Sequence, residues 1–382
     1  MTPQCETDGA AVLAGAYNLL VDCAGMRPGE ALLVLHEDPS LGYYGPGLAE
    51  AVLEAAAELG LRATARSIPF DPDIEAPPAE LRRAMLEADR TLFLARMGDQ
   101  LRFNAELAAV RPIVCYALDR AMLGSPFGRT PYRAMVDLKA LVDASLARAS
   151  TIRVTCPLGT DFSGPGVAFP AAGGDVSVAR FPMSVFTPAP AAACRGRVAQ
   201  AGFLVGTGSR YYQPYGAALR DVLFIDFDGN RITGFEGDPA DVETARRHYD
   251  FVAGRFGIMR DFVHSWHAGI HPGCAFAGFA GESLERWSGA AFGNPRLLHF
   301  HTCGAYAPGE ICWNVVDPTI RVDGVELWDN GRLHPERVPG GSDILAAYPE
   351  VAAAFADPAR AIGLSPGGRL SADAGQAATK SR

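Results

Sequence analysis

Six of the eight histidines in this chain of 382 residues fall between His264 and His334. They stand as His264-Ser-Trp-His267-Ala-Gly-Ile-His271-Pro272-Gly273, then His299-Phe-His301-Thr-Cys303-Gly304, with His334 further on. Imidazole is the commonest protein ligand for transition metals and the side chain that titrates nearest neutrality. So dense a group in a chain otherwise poor in histidine points to metal or proton-transfer chemistry. In an extended strand His299 and His301 would face the same way, as a His-x-His ligand pair should. In a helix His264, His267 and His271 would share a face. Gly269 and Pro272-Gly273 argue that such a helix stops early, leaving His264 and His267 as the helical pair and His271 in the loop beyond.

Further candidates surround this group. Tyr306 could orient a substrate or protonate an intermediate. Glu282 and Glu285, beside Arg286, read first as a salt-bridged helix face and second as acid, base or ligand. Cys303 and Cys312 read as buried thiols. Tyr211, Tyr212 and Tyr215 could wall a pocket or fill a core equally well. His36 ends an apolar strand, and Asp161 in Gly159-Thr160-Asp161 serves a turn before it serves chemistry.

Elements that could position these residues follow from the apolar patterning. From residue 9 to about 150 helical and strand patterns alternate. A helix spans Ala11–Gly25, a buried strand Ala31–His36, a helix Leu48–Leu59 ended by Gly60, and a strand Arg62–Ile68. Leu81–Asp89, Thr91–Arg96, Pro112–Leu118 and Tyr132–Ala147 continue the alternation, which implies βαβ units and a mainly parallel sheet. No Gly-x-Gly-x-x-Gly follows the first strand, so no dinucleotide site is expected. After about residue 150, Gly and Pro punctuate short apolar runs. Val222–Phe227 and Ile232–Phe235, joined through Asp228-Gly229, predict a hairpin, and Ala240–Phe256 a helix.

The fold class expected is therefore α/β. A Rossmann-like parallel domain over residues 1–150 is followed by an antiparallel-rich α+β domain over 151–364. A Pro-, Gly- and Ser-rich stretch, 365–382, reads as a disordered tail.

Composition narrows the function classes. The formal net charge of −9 argues against a nucleic-acid partner, which would want a basic face. The polar, acidic start lacks the features of a signal peptide, and no apolar run approaches the ~20 residues that span a bilayer. Eight cysteines scattered from Cys5 to Cys312 without a Cys-x-x-Cys read as reduced thiols in a cytoplasmic protein.

Several segments, in order, resemble the M29 metallo-aminopeptidases of the aminopeptidase T type and their relatives, the 2,5-dihydroxypyridine 5,6-dioxygenases. They are Gly159-Thr160-Asp161-Phe162, Phe181-Pro182-Met183-Ser184-Val185-Phe186-Thr187-Pro188-Ala189-Pro190, and Asn230-Arg231-Ile232-Thr233-Gly234-Phe235-Glu236-Gly237. Ala268-Gly269-Ile270-His271-Pro272-Gly273 and Ile320-Arg321-Val322-Asp323-Gly324 with Asn330-Gly331 complete the series. With Arg27-Pro28-Gly29-Glu30 the resemblance spans most of residues 10–340. It implies a metal-dependent enzyme, by relation a homodimer, performing oxygenolytic ring cleavage or hydrolysis.

Two departures qualify what the resemblance implies. The aminopeptidases carry a glutamate in the segment matching Phe181–Phe186, where this chain has Met183-Ser184-Val185. Both branches place a His-x-Asp ligand pair where this chain has Cys312-Trp313-Asn314-Val315. A two-metal peptidase site is therefore not expected, and the glutamate's absence favours the dioxygenase branch.

A facial triad of two histidines and one carboxylate on iron(II) would leave positions open for substrate and dioxygen. His267 or His271, His301 or His299, and Asp317 or Glu310 could supply it. The assignment adopted places His267, His301 and Asp317 on the metal, with His264 or His299 moving a proton and Tyr306 assisting. Iron(II) is the expected cofactor, with zinc(II), cobalt(II) or none as alternatives, and the substrate a small cyclic or amide-containing molecule. The competing expectation is a metal-free descendant that binds a peptide or small molecule in natural-product assembly, with Trp313 filling the metal cavity.

Overall fold

The computed structural model describes residues 3–167 and 176–373. The chain divides into two compact units, Met1–Asp137 with Val176–Ser184, and Leu138–Asp175 with Val185–Arg382. The division thus falls at 137/138 where the apolar pattern suggested about 150, and a short later segment belongs with the first unit.

The first unit holds a five-stranded parallel sheet in the order Arg62–Ser67, Ala31–His36, Arg90–Leu94, Pro112–Cys115, Ala179–Phe181. Leu32, Leu33, Val34 and Leu35 are all buried, the pattern of a strand covered on both faces. The fifth strand comes from residues 179–181, inside the Gly- and Pro-punctuated stretch. At the strands' carboxyl ends Glu37 and Arg96 form a buried ion pair, with Nη2 to Oε2 at 2.7 Å.

Two sheets make up most of the second unit. A six-stranded antiparallel sheet runs Gly216–Ala218, Phe203–Gly206, Ile311–Val316, Leu297–Thr302, Val263–Ala268, Ala189–Pro190. An eight-stranded sheet runs Arg231–Glu236, Leu223–Asp228, Arg195–Gln200, Asp161–Gly164, Ile152–Thr155, Thr319–Val322, Val325–Asp329, Arg332–Leu333. The expected hairpin forms, and Gly229 at φ 58° supplies the left-handed residue its turn requires. The following helix, Pro239–Phe256, begins on Asp238, whose carboxylate accepts from the Ala240 N–H, and ends on Gly257 at φ 63°.

A layer of aromatic rings joins the two sheets. Phe162 of the larger sheet meets Trp266 at 5.5 Å and Phe300 at 5.1 Å between ring centroids, and Phe227 meets Phe300 at 5.4 Å and Trp313 at 6.0 Å. Trp266, Phe300 and Trp313 are cross-strand partners in register, so they share one face of the smaller sheet. Edge-on contacts of this kind add to the large apolar area each ring buries.

Two expectations change here. Residues 263–268 form a strand, so His264 and His267 are not a helical pair. The stretch after residue 365 is ordered as far as it is described: Ser365 N–H donates to Arg369 O at 2.8 Å and Leu370 is buried, while residues 374–382 lie outside the described residues. Among the described residues, no helix is long and apolar enough to cross a membrane.

Phe300 is fully buried in the aromatic layer. Phe300→Ala is expected to lower unfolding free energy by about 3–5 kcal/mol, and Phe300→Leu by clearly less, as read by urea denaturation. Equal losses would show that ring packing does not hold the sheets together.

Candidate metal centre

Alternation along paired strands dictates what occupies the other face. His267 lies directly opposite His299, and Ser265 opposite His301, while His299 pairs with Asn314 and His301 with Cys312. With Trp266, Phe300 and Trp313 committed to the aromatic layer, His267, His299 and His301 all project the opposite way. Their ring centroids lie 4.0 Å (His267–His299), 5.0 Å (His267–His301) and 5.0 Å (His299–His301) apart. One nitrogen of each ring lies within 4.8 Å of the other two, and all three residues are buried. Three nitrogens each ~2.1 Å from one ion lie at most ~4 Å apart, so the set needs at most a small adjustment to ligate.

Two contacts set the orientation of the rings. His267 Nδ1 lies 3.0 Å from the Phe186 carbonyl oxygen. A carbonyl only accepts, so this nitrogen carries the proton and the His267 Nε2 lone pair points into the cluster. There it meets His301 Nε2 at 3.0 Å. Two protonated nitrogens cannot sit so close, so His301 donates to His267 across the space a metal would take. Phe292 stacks on His299 at 3.9 Å with 20° between the planes. The segment carrying Phe186 is held along the strand by Val185 bridging Gly269 and by Ala189 and Pro190 pairing with Trp266 and Ser265.

Three converging imidazoles suit a divalent borderline ion such as zinc, iron or cobalt. The donor chemistry of the site therefore fits a metal. The group differs in composition from the expected facial triad, because its third side chain is His299 and not a carboxylate.

Asp317 is engaged elsewhere. It lies three residues past Asn314, the partner of His299, roughly 10 Å along the strand direction. Arg296 grips both its oxygens, Nε to Oδ1 at 2.6 Å and Nη2 to Oδ2 at 2.7 Å. His264 is half-buried and bonded through Nδ1 to Ser265 Oγ at 2.9 Å, and burial lowers its pKa. It is not in the three-histidine group. His271 is buried in the loop after the strand, where its Nδ1 accepts from the Gly273 N–H at 3.1 Å. His334 pairs with Glu336 at 2.9 Å.

Tyr306 donates to Glu310 Oε1 at 2.5 Å, and burial followed by the Glu310 charge raises its pKa. The Glu310 side chain is fully buried, with Ser209 Oγ 3.2 Å from both carboxylate oxygens and Arg210 Nε at 3.6 Å. Burial pushes the Cys303 thiol up to about 12, which makes it inert. Trp313 donates through Nε1 to Tyr249 Oη at 2.7 Å within the aromatic layer, so it does not fill the space between the histidines. Phe186 lies in one of the segments that carry the family resemblance, but nothing in the sequence marks its carbonyl, or the Phe292 ring, as a partner of the histidines.

No described protein family and no curated protein matches the sequence. Among solved structures the chain is similar to the 2,5-dihydroxypyridine dioxygenase of Pseudomonas putida KT2440, at 15% identity and a TM-score of 0.58. That match covers 87% of this chain and 99% of the dioxygenase. It is also similar to wild-type AmpT from Thermus thermophilus, at 13% identity and a TM-score of 0.49, covering 85% of this chain and 99% of that one. The first likeness shows that the chain has the dioxygenase's fold.

Outside the triad, burial alone pulls His248 down to about 4, and burial chiefly pulls His271 down to about 3. Both are neutral in the fold at neutral pH, whereas the unfolded chain protonates its histidines near pH 6.5. Their contribution to stability is complete above about pH 6.5 and is lost as pH falls toward the folded values. His248→Leu is expected to flatten the fall in urea midpoint between about pH 6.5 and 4.5, removing up to about 1.4 kcal/mol per pH unit. An unchanged slope would mean that His248 is protonated in the folded state.

Proposed function

We propose that this chain is a mononuclear metal-dependent enzyme, with His267, His299 and His301 holding one divalent ion and a small cyclic or amide-containing molecule as substrate. The observation that carries this reading is the convergence of three buried imidazoles from two neighbouring strands. Iron(II) is the cofactor we favour, in support of which stands the fold shared with a dioxygenase. When bound, such an ion supplies Lewis acidity and, if iron, a redox path to dioxygen.

The chain's own residues then have separable tasks. Phe186 and Phe292 fix two of the rings, one by a hydrogen bond and one by stacking. The three imidazole donors bring no negative charge of their own to the ion, so an anionic group on the substrate would balance it. Tyr306 holds a proton at its Oη against Glu310, two residues before Cys312 in the strand that faces His301, which makes the pair our candidate for proton movement. His264 has no place in this scheme. A cytoplasmic homodimer belongs to the same proposal, on the grounds of composition and resemblance.

The donor set gives zinc hydrolysis as the second reading, because three histidines are one of the ligand sets of catalytic zinc. The metal-free alternative loses the feature that favoured it, since Trp313 lies on the other face.

Anaerobic reconstitution with iron(II), and separately with zinc(II) or cobalt(II), is expected to give about one ion per chain by elemental analysis. His267→Ala/His301→Ala and His299→Ala should each abolish it, while Asp317→Asn should leave it intact. Metal content unchanged in the histidine variants would end this reading. Loss of metal in Asp317→Asn would restore the carboxylate triad.

A further inference from the structure

The His267 ring is held by the oxygen of a peptide bond whose nitrogen is held by a carboxylate. Phe186 C=O and Thr187 N–H are the two ends of one planar unit, so a force on one end fixes the other. Phe186 O accepts from His267 Nδ1 at 3.0 Å, and Thr187 N–H donates to Asp143 Oδ1 at 2.9 Å. Asp143 Oδ2 accepts from Thr187 Oγ1 at 2.8 Å and from Lys139 Nζ at 2.8 Å, and Lys139 Nζ also donates to Thr187 Oγ1 at 2.7 Å. Lys139 and Asp143 lie one turn apart on the helix Tyr132–Arg148, which presents them together.

We propose that Asp143 is a positioning residue for the metal ligand His267, acting through the Phe186–Thr187 peptide group, with Lys139 locking the carboxylate in place. Metal-binding histidines commonly give their second N–H to a carboxylate or carbonyl, which sets tautomer and ring angle and raises ligand basicity. Here both partners are used in series. A charged acceptor at the N–H end polarises the carbonyl, which strengthens the bond to Nδ1–H. The chain thereby gives His267 carboxylate support while keeping the negative charge one peptide away from the ion. This inference rests on the ligand role proposed for His267, but its first readout needs no metal.

The test uses full-length protein with 15N-labelled histidine. Long-range 1H–15N correlation reads the His267 tautomer in metal-free protein, and titration with cobalt(II) alone reads affinity. The wild type is expected to show His267 as the Nδ1–H tautomer. Asp143→Asn should mix the tautomers and weaken cobalt(II) binding by about 10–100-fold, whereas Thr187→Ser should keep both within about twofold. A folded Asp143→Asn protein with an unchanged tautomer and unchanged affinity overturns the proposal. Should that variant not fold, Lys139→Met decides: a smaller shift of both signals in the same direction supports the relay, and no shift of either overturns it. If the wild type binds no cobalt(II), the enzyme reading fails, and the tautomer in the variants still decides the relay.

Discussion

The histidine group of the second unit depends on the two-residue alternation across three hydrogen-bonded strands, which is regular from Ser265 onward, past a register shift between Val263 and Ser265. The strands Val263–Ala268, Leu297–Thr302 and Ile311–Val316 are paired so that Trp266, Phe300 and Trp313 stand in one row. That row must face the larger sheet, because three large aromatic rings outweigh any other demand on the register. Once it does, the histidines on either side of those aromatics have no choice of direction. The site is thus a consequence of the core: a slip of one residue in either pairing would put imidazoles into the aromatic layer and indoles into the site.

Burying three imidazoles on one face costs free energy unless their polar atoms are engaged. Part of that demand is met by the Phe186 carbonyl and by the His267–His301 contact. The latter uses a proton to hold together two nitrogens whose lone pairs a metal could otherwise share. Stacking of Phe292 on His299 covers the third ring without competing for its nitrogens. The arrangement is preorganised in direction, and what an ion would replace is a single bridging proton.

Local patterns were legible in the sequence, and long-range ones were not. The parallel sheet of the first unit and the Asp-Gly hairpin follow from short apolar runs and turn chemistry. The common direction of His299 and His301 follows from the strand period alone. His264, His267 and His271 at spacings of three and four imitate a helix face, and only pairing with 297–302 shows that 263–268 is extended. Sequence order cannot say which face of a strand the Trp313 indole takes, so the competing expectation of a filled metal cavity is decided only by the pairing of 311–316 with 297–302. The contacts that hold His267 link residues 81 and 44 positions apart, and no spacing rule reaches across such distances.

Among the described residues, the position of Asp317 outside the three-histidine group has its own physical logic. Asp317, at φ 51°, closes the strand turn with both oxygens on the Arg296 guanidinium, and the two side chains are largely buried. Drawing Asp317 to an ion would strand a nearly buried guanidinium without its counter-charge, a loss on the order of 3–5 kcal/mol. It would also have to cover three residues of strand. A third imidazole from the opposing strand needs neither displacement, since His299 is already opposite His267. In the proposed metal site the cost would appear in charge, because three imidazole donors would leave a divalent ion uncompensated. Under that proposal an anionic or chelating oxygen donor on the substrate would complete the electrostatics and make substrate charge a determinant of binding.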